Sequence, residues 1–198
     1  MTDTIEVTVP NYGILRGSVD QARQIAIFRN VPYAVVTERW RPAVNPQSWA
    51  GVRDATKQGP ICPQPPSVFP LNLLFEDYAS KHDERDSLNM NIYVPLKALQ
   101  EGAEPVSVMT WIHGGGFRNG SNDLALYDAS DFVQQSSELK QSVIVVTINY
   151  RLNVFGFLAS KELEDEMKEL VTANPAVSLY DQSVGNWGLM DQRLAFEW

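Results

Sequence analysis

Residues 111–117 read Trp-Ile-His-Gly-Gly-Gly-Phe and follow an apolar run, Val106-Ser107-Val108-Met109-Thr110. Three successive glycines at the end of a strand are costly, because each loses more backbone entropy on folding than any other residue. They are accounted for where the backbone itself must face a ligand, with its N–H groups free and no Cβ in the way. The plainer alternative is a tight turn or close backbone packing. Trp111 and Phe117 flank the glycines and are read either as pocket walls or as core, the common place for aromatics beside a central strand. His113 is one of only two histidines. The other, His82, lies in Lys81-His82-Asp83-Glu84-Arg85 and reads as solvated surface, so no clear catalytic base is present.

A glycine loop needs rigid strands behind it, and the sequence supplies several. Ile5-Glu6-Val7-Thr8-Val9 alternates at period two, Pro10-Asn11-Tyr12-Gly13 is a turn signal, and residues 14–19 resume the strand pattern. With Ile25-Ala26-Ile27-Phe28 they predict a small antiparallel β unit. Residues 41–70 hold seven of the twelve prolines, which predicts an irregular surface path. Residues 89–94, 106–112 and 142–148 are the main sheet strands. The last has five β-branched apolar residues in seven, as in a strand covered on both faces. Between the last two strands a helix is expected, capped by Asp128, with Asp131 in its first turn and Phe132 and Val133 on its buried face. Strand, helix and strand within about 45 residues read as a parallel crossover. The fold class is therefore α/β, a mixed and mostly parallel central sheet preceded by the small antiparallel unit.

Residues 160–171 predict a second helix. Leu163, Met167, Leu170 and Val171 make one apolar stripe, Glu164 and Lys168 form an i,i+4 pair, and the many charges mark a solvated surface helix. Leu189, Met190, Leu194 and Trp198 predict a helix still running at the last residue, without a C-cap or breaker, so the chain reads as cut.

Composition narrows the function classes. Sixteen basic and twenty-four acidic residues leave a net charge of −8, which argues against a broad phosphate-binding surface and against nucleic acid as a partner. The hydrophobic fraction of 44% suits one globular domain or a piece of a larger one. Met1-Thr2-Asp3-Thr4-Ile5-Glu6 has the form of no secretory signal, and no apolar run approaches the roughly 20 residues of a membrane span. The one cysteine, Cys62, has no partner for an internal disulfide. These features lead to the expectation of a cytoplasmic protein with no membrane partner, in which the sequon Asn119-Gly120-Ser121 stays unmodified. No metal-ligand set or nucleotide loop is seen, so no cofactor is expected.

Blocks along almost the whole chain carry a resemblance. They are Gly13-Ile14-Leu15-Arg16-Gly17, Phe28-Arg29-Asn30-Val31-Pro32-Tyr33-Ala34, Arg39-Trp40-Arg41-Pro42, Leu88-Asn89-Met90-Asn91-Ile92-Tyr93-Val94-Pro95, Trp111 to Phe117, Asn149-Tyr150-Arg151-Leu152, Phe155-Gly156-Phe157-Leu158 and the run from Gly185 to Ala195. In this order and spacing they resemble the type-B carboxylesterases, the cholinesterase-like branch of the α/β-hydrolase fold. The resemblance implies that residues 1–198 are the N-terminal part of such a domain, incomplete. No Gly-x-Ser-x-Gly nucleophile elbow occurs in the 198 residues, and the acid and base of the triad are expected further on. It implies a serine-type carboxylic ester hydrolase acting on a small or medium carboxylic ester. The backbone N–H groups of Gly115 and Gly116 would be oxyanion-hole donors, and His113 and Gly114 would shape the loop. Asn186 and Asp191 would supply buried scaffolding hydrogen bonds. The chain alone is then expected to be inactive, poorly soluble or dependent on a chaperone or partner. The alternative is a truncated or degenerate non-catalytic paralogue that acts as a binding protein.

Two departures from the family pattern stand out. Relatives that bridge the position of Cys62 have a second cysteine where this chain has Ser87. The loop with Phe69, Leu71, Leu73, Leu74 and Phe75 is then expected to be held by packing alone, and its mobility to alter substrate access. Relatives also pair the arginine matching Arg39 with an acidic residue where this chain has Arg85, which leaves Glu84 as the candidate substitute.

Overall fold

The computed structural model describes residues 3–65, 81–173 and 184–198. Period-two alternation sets the first ladder: Thr4–Val9 (β1) pairs antiparallel with Gly13–Asp20 (β2) from Thr4 opposite Ser18 to Val9 opposite Gly13. Ile25–Pro32 (β3) pairs antiparallel with β2. The expected antiparallel unit exists, but it is not separate. β3 continues onto Asn89–Pro95 (β5), and β5 onto Val143–Ile148 (β7), both antiparallel. Ser107–Ile112 (β6) lies parallel to β7, and the short Val52–Asp54 (β4) lies parallel to β2. One sheet results, in the order β1-β2-β3-β5-β7-β6 with β4 beside β2.

The expectation of a mostly parallel sheet is therefore corrected. Among the described strands four pairings are antiparallel and two parallel. The physical reason is the connections: the β6-to-β7 crossover carries a helix and returns the chain parallel, whereas the short β1–β2 and β2–β3 turns give antiparallel neighbours. The β3–β5 register shifts between Phe28 and Val31, where Asn30 adopts φ 56° and donates its amide to Asn91 Oδ1 at 3.2 Å.

The sheet buries both faces. On one side Leu15, Phe28, Val31, Tyr33, Met90 and Ile148 form the largest cluster. On the other, Ile25, Ile27, Tyr93 and Val145 pack with Ala129 and Val133 of the crossover, whose helix is Ser130–Glu138 (α1). Asp128 is not the N-cap residue but does accept the Ser130 amide at 2.9 Å. Phe132 is 51% exposed while Val133 is fully buried, against the expectation that both face inward. Successive helical residues stand about 100° apart, so Ala129 and Val133, at i and i+4, share the sheet-facing stripe and Phe132 falls outside it.

Three further α-helices lie among the described residues: Asn153–Phe157 (α2), Lys161–Ala173 (α3) and Trp187–Glu197 (α4). α3 buries Leu163 and Met167, leaves Leu170 exposed, and pairs Glu164 with Lys168 at 2.6 Å on its solvent side. α4 buries Trp187, Met190 and Asp191. Trp198 stacks on Tyr12 at 5.6 Å, which ties this end of the chain to the β1–β2 turn. Residues 69–75, with their expected packing, lie outside the described residues. Among the described residues no helix is long and apolar enough to cross a membrane.

Candidate active site

The parallel pairing of β6 with β7 sets Ile112 opposite Ile148, so the segments that follow, residues 113–120 and 149–153, leave the sheet at the same edge. The carboxyl ends of parallel strands are where α/β sheets place their ligand sites.

The glycine loop follows. Gly115, Gly116 and Phe117 adopt φ values of 126°, 61° and 60°. A Cβ on Gly115 would overlap the Asn119 carbonyl oxygen, so space as well as torsion requires glycine there. Gly116 has open space around its Cα, and only its torsion favours glycine, while Gly114 meets neither constraint. The turn closes through the amides of Arg118 and Asn119, which donate to the Gly115 carbonyl at 3.1 and 3.4 Å. The amides of Gly114, Gly115 and Gly116 donate to no acceptor among the described residues, and all three glycines are exposed.

His113 sits behind the loop, 3% exposed. Its ring stacks on Tyr150 at 4.6 Å, and the Tyr150 hydroxyl donates to the His113 carbonyl at 3.3 Å. Nδ1 lies 2.9 Å from the Gly114 carbonyl, which assigns its proton to that nitrogen. Burial pushes the His113 pKa below its ordinary value, against the pull of the Gly114 carbonyl and Asp123, so the ring is neutral at pH 7. The sign of the pH effect follows. An opened chain takes up a proton near the ordinary value of about 6.5, while the closed loop resists it, so closure loses stability as pH falls through that range. Hydrogen exchange of residues 113–120, corrected for the intrinsic rate, is expected to accelerate between pH 7 and 5, and His113→Gln to abolish that dependence. A flat profile in the unsubstituted chain would refute this.

Trp111 and Phe117 are 44% and 50% exposed in this chain. They also have different neighbours: Trp111 lies against Tyr127 at 5.8 Å, and Phe117 against Phe157 at 4.8 Å and Tyr150 at 6.4 Å.

Two side chains reach the loop from neighbouring segments. The Asn153 amide donates to the Phe117 carbonyl at 2.7 Å, and its Nδ2 to the carbonyls of Pro63 at 2.9 Å and Arg118 at 3.4 Å. Gln64 meets Gly120 through both ends of its side-chain amide. Cys62 is buried and free, its Sγ accepts the Leu152 amide at 3.3 Å, and burial pushes its thiol up to about 12.

Beneath the loop lies a buried amide network. Asn122 donates its backbone amide to Asn149 Oδ1 at 2.8 Å, and its Nδ2 to the carbonyls of Asn89 and Thr147, each at 3.2 Å. Asn91 Nδ2 in turn donates to the Asn122 carbonyl at 3.1 Å. Farther down, Asp191 accepts from Arg151 at three points: the amide at 3.0 Å, Nε at 2.8 Å and NH2 at 2.7 Å. Both side chains are at most 1% exposed. Burial raises the Asp191 pKa above the usual carboxylate range, and the Arg151 donors pull it back. Asn186, expected to be buried, is exposed. It stands at the N-cap of α4, outside the helix face that packs inward, and its carbonyl accepts the amides of Leu189 and Met190.

The departures at residues 84–87 also resolve. Glu84 takes a bidentate pair with Arg39, Nε to Oε1 at 2.8 Å and NH2 to Oε2 at 2.6 Å, while Arg85 is exposed. Ser87 is fully buried and its hydroxyl donates to the Glu84 carbonyl at 3.4 Å. His82 is exposed, as its charged setting predicts. Among the described residues no three His, Cys, Asp or Glu side chains are grouped to hold a metal ion.

The model of the Carboxylesterase family matches residues 3–198. The chain is 33% identical to the para-nitrobenzyl esterase of Bacillus subtilis (strain 168), over 98% of its own length and 34% of that protein's. It is 34% identical to the fumonisin B1 esterase of Sphingopyxis macrogoltabida, over 88% of its own length and 28% of that protein's. Among solved structures, a PNB esterase superposes with a TM-score of 0.73 at 31% identity, over 98% of this chain and 34% of the other. A Geobacillus stearothermophilus carboxylesterase superposes with a TM-score of 0.69 at 31% identity, over 98% of this chain and 33% of the other. The chain thus spans about a third of the length of the relatives it matches.

Proposed function

This chain belongs to the carboxylesterase family, and from that membership we propose that it is the oxyanion-hole half of a serine-dependent carboxylic ester hydrolase. The fold it contributes is the N-terminal part of the α/β-hydrolase fold of its structural neighbours. One observation carries the reading: the amides of Gly115 and Gly116 are exposed and unbonded among the described residues, while the carbonyl of Gly115 closes the turn.

Attack on an ester carbonyl moves charge onto the carbonyl oxygen. Donors already aimed at that position stabilise the charge without reorganising, and removing one such donor costs about 10²–10³ in rate. Gly115 and Gly116 are the two donors of this chain, with a third to come from the residue after the nucleophile. His113 and Gly114 shape the loop through the Nδ1–carbonyl bond. Phe117 and Trp111, half-exposed, are available to contact the acyl or alcohol group of a small or medium ester. A cytoplasmic setting suits the unbridged Cys62, opposite which relatives place a cysteine and this chain Ser87. Dependence on a partner is supported by β6, which has one ladder neighbour among the described strands and exposes Val108, Met109 and Trp111.

The 198 residues by themselves lack a nucleophile elbow, so they are expected to hydrolyse p-nitrophenyl acetate no faster than buffer and to take up no fluorophosphonate probe. Stoichiometric labelling of one serine would overturn that. The function is tested by exchange: residues 3–198 replace the matched third of the Bacillus subtilis para-nitrobenzyl esterase. The chimera is expected to hydrolyse p-nitrophenyl acetate with multiple turnovers. A folded chimera that does not would leave the non-catalytic paralogue as the better account.

A further inference from the structure

Gln64 lies some fifty residues before the glycine loop, yet it holds the loop's far end. Its Oε1 accepts the Gly120 amide at 2.7 Å, and its Nε2 donates to the Gly120 carbonyl at 3.0 Å and to the Cys62 carbonyl at 3.1 Å. The side chain thus does for Gly120 what a neighbouring strand's backbone would do. We propose that Gln64 is a positioning residue of the oxyanion loop: it clamps Gly120 and thereby fixes the direction of the Gly115 and Gly116 amides. The proposal rests on the function argued above.

Gly120 is where a clamp has leverage. It adopts φ 117°, and a Cβ there would overlap the Gly114 carbonyl oxygen and the His113 ring. Gly120 is therefore packed directly against the first residues of the loop, and holding it closes residues 113–120 at the base. At the crown Gly116 has open space, and the amides of Gly115 and Gly116 have no partner among the described residues. The segment 62–64 is itself anchored: Cys62 Sγ takes the Leu152 amide, and the Pro63 carbonyl takes Asn153 Nδ2, whose own backbone amide holds Phe117. The same short segment therefore braces the loop at its closing end and, through Asn153, at its middle. Oxyanion donors help only when aimed before the charge appears. A loosened base would leave ester binding intact and scatter the donors.

The test has two arms. In the 198-residue chain, Gln64→Ala is expected to accelerate hydrogen exchange of the Gly120 amide by about ten-fold or more, with exchange in β7 unchanged. Gln64→Glu keeps the acceptor for the Gly120 amide and loses the donor to both carbonyls, so its exchange should fall between the two. Loop exchange within about two-fold of the unsubstituted chain in Gln64→Ala overturns the clamp. In the chimera, Gln64→Ala is expected to lower kcat by about ten-fold with KM nearly constant, the mark of a donor used in the transition state alone. A KM increase at constant kcat, or no change in either, overturns the positioning role. A chimera with no hydrolysis, beside accelerated Gly120 exchange, supports the clamp and defeats the proposed function instead.

Discussion

Asp191→Ala is expected to cost this chain about 3–5 kcal/mol of stability, enough to unfold a marginal domain at room temperature. The substitution removes the one carboxylate that meets Arg151 among the described residues and leaves a guanidinium with 1% exposure held by the Arg41 carbonyl alone, at 2.7 Å. It also strips the Arg151 amide of its acceptor at the point where β7 gives way to the loop carrying Leu152 and Asn153. Chemical denaturation monitored by the five tryptophans measures the loss. A double replacement, Arg151→Met with Asp191→Leu, is expected to cost less than either single one, because no charge is then left buried without a partner. Exposed pairs such as Glu164 with Lys168 should by contrast change the unfolding midpoint little when broken. A loss below about 1 kcal/mol for Asp191→Ala would show that Arg151 finds another partner or solvent.

The second large effect falls on catalysis. In the chimera, Gly115→Ala is expected to lower kcat by about 10²–10³ with KM little changed. Its Cβ would overlap the Asn119 carbonyl oxygen at a torsion of 126°, so the turn must open and both donors lose their aim. Gly116→Ala meets open space and carries only the left-handed penalty, about 1–2 kcal/mol, so its effect should be smaller. Gly114→Ala meets neither an obstacle nor an unfavourable torsion and should be near neutral. The order Gly115, Gly116, Gly114 is the specific claim. Steady-state kinetics on the three variants check it, and a larger loss at Gly114 than at Gly115 would contradict it.

The strands were legible because period-two alternation and β-branched runs leave a direct mark, and β1, β2, β5, β6 and β7 fall where the pattern puts them. Their directions were not. β3 meets β5 antiparallel, and the sequence between them carries no periodic signal to set that direction. The neighbours Phe132 and Val133 show the limit of residue type: both are apolar, and only the helix phase separates the buried one from the exposed one. The charge exchange at residues 84 and 85 was readable, since Arg39 needed a carboxylate and Glu84 was the one at hand.

Within the site, the glycine run marked the loop, but not which glycine is indispensable. That follows from where the Asn119 carbonyl falls, a property of the folded turn. Gln64, Asn122 and Asn153 had no signal of their own, because side chains that hydrogen-bond to backbone are chosen by local geometry and leave no spacing behind. Asn89 and Asn91, polar residues inside an apolar strand, were the sequence's one hint of a buried amide network.

The most direct measurement is a crystal structure of the chimera carrying a phosphonate adduct on the nucleophilic serine, which freezes the geometry of the tetrahedral intermediate. The amide nitrogens of Gly115 and Gly116 should both lie about 2.7–3.1 Å from the phosphonyl oxygen. An adduct oxygen held elsewhere, with those two amides bonded inside the chain or turned away from it, would contradict the account.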